Sequence, residues 1–140
     1  MSDLSTAGPE KDCRELRGAF QGILSWKWDG RFGTALAEFG VKKKDQVRPI
    51  LERYLSLTWD GSNIGSAPPL VQAINSQLGG LRPGQMLLAS DPGGDAFLYC
   101  AWWPWGDGKT ISIRIGASYG KLSDSERAEK VKLLKGWFGV

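Results

Sequence analysis

The chain has 140 residues, 41% of them hydrophobic and 24% charged, with a formal net charge of +3. Those values describe one globular domain able to bury a core of its own, with too little charge to mark a nucleic-acid surface by itself. Histidine is absent, which removes Ser-His-Asp and Cys-His nucleophilic sites, His-containing zinc sites and the commonest general base near neutral pH.

Residues 1–10 read as a polar, disordered tail, with a single α+β domain over 11–140. The opening MSDLSTAGPEKD has neither the positive start nor the apolar stretch of a secretory leader. No apolar run approaches the ~20 residues that span a bilayer. A cytoplasmic protein without membrane contact is expected. From Asp12, the spacing of Leu16, Ala19, Phe20, Ile23 and Leu24 predicts a helix. FGTALAEFG predicts a second, with Phe32, Ala35, Leu36 and Phe39 on one side and Gly40 closing it. A third starts with Asp45 as N-cap and carries Val47, Ile50, Leu51, Tyr54 and Leu55, with Pro49 in its first turn. A fourth runs from Pro69 through Leu70, Val71, Ile74 and Leu78 to Gly79-Gly80. Offset by 31 positions, RGAFQGILSWKWDG and RPILERYLSLTWDG share Arg, Leu, Ser, Trp, Asp and Gly. Two helix–WDG–helix units are one reading; Asp-Gly as a turn between strands is the other.

The period changes near residue 81. Pro83-Gly84 suits a type II turn, and three strand-like runs follow: 85–90, 96–103 and 110–116. The last alternates Ile111, Ile113 and Ile115 with Thr110, Ser112 and Arg114, as a strand with one wet face should. The middle run is apolar on both faces and reads as the centre of a three-stranded antiparallel meander. Ser123-Asp-Ser-Glu126 is a capping box. It opens a helix with Ala128, Val131, Leu134 and Phe138 inward and Lys130, Lys132 and Lys135 toward water. The expected fold is therefore α+β: N-terminal helices packed with the meander and a C-terminal helix.

Catalytic patterns are weak. Asp91 and Asp95 read as turn chemistry in DPGGD, the glycine-rich stretches lack the strand–loop–helix order of a phosphate loop, and Cys13 and Cys100 have no metal-site spacing. No cofactor and no metal are expected. LYCAWWPWGDGK is the exception to this plainness. Adjacent strand residues point opposite ways, so Trp102 and Trp103 divide between two faces, and Trp105 lies in a loop tip where full burial is hard to find. An exposed tryptophan with a polar rim has the make-up of an interface hot spot. Trp103, Trp105, Asp107 and Lys109 are the predicted partner-binding residues, with Trp105 as anchor. Lys42, Lys43, Lys44 and Arg48 form a secondary basic patch, interrupted by Asp45.

In architecture, though in no sequence motif, such a chain resembles the small α+β immunity proteins with which bacteria block their own toxins. That resemblance implies a non-catalytic inhibitor that binds a toxin domain acting in the cytosol. The alternative is a nucleic-acid-binding module that uses exposed tryptophan and lysine side chains. Interleaved acidic residues make nucleic acid the weaker partner.

Overall fold

Ile111, Ile113 and Ile115 are buried together on one side of their strand, while Arg114 beside them stays partly exposed on the other. This period-two split sets the frame of the whole fold, a sheet with two differently covered faces. The computed structural model describes residues 7–91, 96–119 and 122–140. Within them the chain runs α1 (Ala7–Ala19), β1 (Lys27–Asp29), β2 (Thr34–Gly40), α2 (Lys44–Tyr54), β3 (Leu57–Trp59), α3 (Pro69–Gln77), β4 (Met86–Ala89), β5 (Phe97–Pro104), β6 (Thr110–Ser118) and α4 (Asp124–Phe138).

The expected meander, β4–β5–β6, is present, but it is the middle of a six-stranded antiparallel sheet in the order β1-β2-β6-β5-β4-β3. The additional strands correct the sequence reading. FGTALAEFG forms β2 instead of a helix, pairing along its length with β6 from Ala35↔Ile115 to Gly40↔Thr110. Ala35, Ala37 and Phe39 enter the main core, while Thr34 and Leu36 are buried on the opposite face. A strand covered on both faces shows no clean alternation, so its apolar residues fell by accident into helical spacing. The two WDG segments end the outermost strands. Asp29 Oδ1 accepts from Arg31 N at 3.0 Å, and Asp60 Oδ1 from Ser62 N at 2.8 Å. The first turn leads into the β1–β2 hairpin, as the turn reading requires. The second leads through a 3₁₀ turn at Ile64–Ser66 to α3.

The first face of the sheet carries the larger core. Cys13, Leu16 and Phe20 from α1, Val47 and Leu51 from α2, and Leu134, Trp137 and Phe138 from α4 pack on Leu98, Cys100, Trp102 and the three isoleucines of β6. On the second face α3 covers only the β4–β5 half, where Val71 and Ile74 meet Leu87, Ala89, Phe97, Tyr99 and Ala101. The remaining half, over β2 and β6, is closed by side chains. Arg114 Nε donates to Asp29 Oδ2 at 2.7 Å across the intervening β2. Its guanidinium lies 4.4 Å from the Trp103 ring centre, and Phe32 meets Trp103 edge-on.

Other details differ from expectation for local reasons. α1 begins at Ala7, inside the segment read as a tail, and residues 1–6 lie outside the described residues. The N-cap of α2 is Lys43, without a side-chain cap, and Asp45 sits in its first turn, where an acid complements the helix dipole. Pro49 falls inside the helix, past that turn. The capping box at Ser123 and Glu126 is formed, and α3 ends with Gly79 and Gly80 both at positive φ. In α4, Ala128 is exposed and Trp137 takes a core position. Lys130 and Lys135 lie over the rings of Tyr119 and Trp28 instead of standing free in water.

Candidate functional site

The β5–β6 connection is a short, well-tied loop. Trp105 N donates to Thr110 O at 2.8 Å, and Gly108 takes the positive φ of 68° that the turn needs. Asp107 closes it. Oδ1 accepts from Lys109 N and Thr110 N at 2.8 and 3.0 Å, and Oδ2 accepts from Thr110 Oγ1 at 3.1 Å. The Lys109 backbone bond comes first in holding this carboxyl below its usual value, joined by those from Thr110. Asp107 thus serves the shape of its own loop, and Lys109 is left exposed beside it.

Val41 N donates to Lys109 O at 2.7 Å and fastens the 3₁₀ turn Val41–Lys43, together with the start of α2, against this loop. Met86 arrives from the other side because it is the register partner of Trp102. Between these elements lies a groove of about 440 Å³. Its apolar lining comes from Val41, Met86, Trp102, Pro104, Trp105 and Ile111, and its charged lining from Lys44, Asp45 and Arg48. Trp102 is only 4% exposed and its ring sits edge-on to Phe39. Trp105, at 45%, is more exposed than any other large hydrophobic side chain among the described residues.

Cations outnumber acids in the lining, Lys44 and Arg48 against Asp45. The Arg48 guanidinium lies 5.3 Å from the Trp102 ring centre. Arg48 Nε is 3.3 Å from Glu52 Oε2, yet the geometry is not that of a hydrogen bond, and this buried N–H has no acceptor. Lys42, Lys44 and Lys109 are exposed and form no ion pair among the described residues, whereas Lys43 Nζ donates to Ile23 O at 3.1 Å. The structure therefore joins two sets of residues that the sequence left separate, Trp105 from the loop and Lys44 and Arg48 from the basic patch, while Lys109 meets this side through its backbone carbonyl on Val41 N. Trp103 does not belong with them, since it packs with Phe32 and Arg114 on the second face. Met86, Pro104 and Ile111 were not singled out from the sequence.

Both cysteines are free and buried, and burial pushes their thiols far above the ordinary range, which makes them poor nucleophiles. Asp91 is exposed at the end of β4, and Asp95 lies outside the described residues. Among the described residues no three His, Cys, Asp or Glu side chains come together as a metal-binding group, and no helix is long and apolar enough to cross a membrane. Comparison with protein-family models, with curated proteins and with solved structures finds no match for the chain.

Proposed function

We propose that the chain is a non-catalytic protein-binding domain, an inhibitor of the immunity or antitoxin type, which grips a toxin acting in the cytosol through the groove beside Trp105. The observation that carries this reading is the exposure of Trp105 over a preformed apolar floor. A rigid indole on a tied loop loses little conformational freedom on docking, and such anchors supply most of the energy of an interface. The excess of cations in the lining favours an acidic surface on the partner. Lys44, exposed in the groove lining, offers a partner carboxylate a charge-assisted hydrogen bond.

Capture from the native cell lysate tests the reading. Wild-type protein and Trp105→Ala are used as baits at low and high salt, and each captured protein's activity is assayed with and without added bait. A single stoichiometric protein that survives high salt, is lost with Trp105→Ala and is inactivated by the wild-type chain supports the proposal. Nucleic acid that elutes with salt and is lost on neutralising Lys42, Lys44 and Lys109 overturns it in favour of the nucleic-acid alternative, because phosphate contacts release counterions.

A further inference from the structure

The strand whose first residue lines the groove ends in a second cleft of different chemistry. Thr110 borders the groove and Ser118 borders this cleft, of about 250 Å³, where β6 gives way to α4 and α3 approaches from the second face. Leu70 and Ile74 of α3 supply part of its apolar wall. Its charged lining is Arg127 and Lys130 from the first half of α4, with no carboxylate among the described lining residues. Neither cation forms an ion pair among the described residues. Glu126, next to Arg127, turns its carboxylate back to accept from Ser123 N at 3.0 Å.

Two phenols complete the lining. The Tyr119 ring lies beneath the Lys130 ammonium, 4.9 Å from ring centre to Nζ, and its hydroxyl is buried without a hydrogen-bond partner. The Tyr99 ring lies against β6 at Gly116, where any β-carbon would collide with it. Burial pushes the Tyr99 hydroxyl up to about 12. Two cations in a lining without a carboxylate suit an oxyanion.

We infer that this cleft binds a small organic anion, its acidic group held by Arg127 and Lys130, its apolar body against Leu70 and Ile74. The site is separate from the groove beside Trp105, so either can fail without the other. A carboxylate and a phosphate ester share the recognised chemistry.

Calorimetric and ligand-observed NMR titrations with benzoate, phenyl phosphate and neutral benzyl alcohol test the inference. At least one anion is expected to bind saturably while benzyl alcohol does not, and the better anion identifies the acid. The Arg127→Gln/Lys130→Gln double variant should keep its melting temperature and lose about tenfold or more in anion affinity, as expected for lost charge-assisted bonds. Absence of saturable anion binding, equal binding of benzyl alcohol, or an affinity unchanged in the double variant would overturn the assignment.

Discussion

Replacing Asp29 by asparagine keeps a side-chain acceptor for the Arg31 N–H but leaves Arg114 without its counter-charge. The pair is well enclosed, with side chains 18% and 11% exposed and 2.7 Å between Nε and Oδ2. Removing one partner of a fully buried pair costs about 3–5 kcal/mol. Arg114 keeps a bond to Ser112 Oγ and its place over Trp103, and its rim reaches water, so we expect about 2–3 kcal/mol. For a domain of this size that loss lowers the melting temperature by roughly 6–10 °C. Arg114→Met removes the cation and retains the aliphatic stem over Trp103 and Phe32. Combined with Asp29→Asn it removes the unpaired charge, so the double variant should be more stable than the sum of the single losses by about 1 kcal/mol or more. Thermal melts of the four proteins in one buffer measure this coupling. A shift under about 2 °C for Asp29→Asn, set against that size scaling, would show that the pair does not seal the sheet. Strict additivity would refute the cycle.

Three further outcomes follow from individual contacts. Gly116→Ala places a methyl group where the Tyr99 ring lies and should cost about 1–3 kcal/mol by overpacking; most of that loss should vanish in a Tyr99→Leu background, and a loss equal in both backgrounds contradicts it. Thr34→Val removes a buried hydroxyl that has no partner, so denaturant unfolding should show a gain of up to about 1 kcal/mol, whereas a loss would point to a bond at that oxygen. The folded-state pKa of Asp107 is depressed, so its contribution is present above the unfolded value of about 3.9 and disappears as pH falls through the folded one. The difference in melting temperature between wild type and Asp107→Asn should accordingly close in acid, and a difference independent of pH would contradict the charge-based account of this turn.

What was legible in the sequence depended on how each element meets water. The Ile111–Ile115 alternation identified β6 because Ser112 and Arg114 interrupt it with polar side chains. Leu36 gives β2 no such interruption, since it is buried on the second face, and an apolar alanine-rich run then passes for a helix. β1 and β3 have three residues each, too few for any period, and only their Trp-Asp-Gly ends stood out. The shared Asx turn at Asp29 and Asp60 explains why those ends look alike without a repeated helical unit. At the site, the exposure of Trp105 followed from its place after Pro104 in a hairpin loop. Its neighbours did not, because Met86 reaches it through strand register and Arg48 through the Val41–Lys109 backbone bond.

The affinity of the captured partner for wild type and for Trp105→Ala bears most directly on the central claim. Covering the 45% of Trp105 that is exposed removes on the order of 110 Å² of apolar surface from water, taking about 250 Å² for the whole side chain. At about 25 cal/mol per Å² this is roughly 2.8 kcal/mol, or about a hundredfold in Kd. A loss of that order, in a variant that circular dichroism shows to be folded, places the groove at the interface. An unchanged Kd would remove Trp105 from the interface and with it the proposed mode of binding.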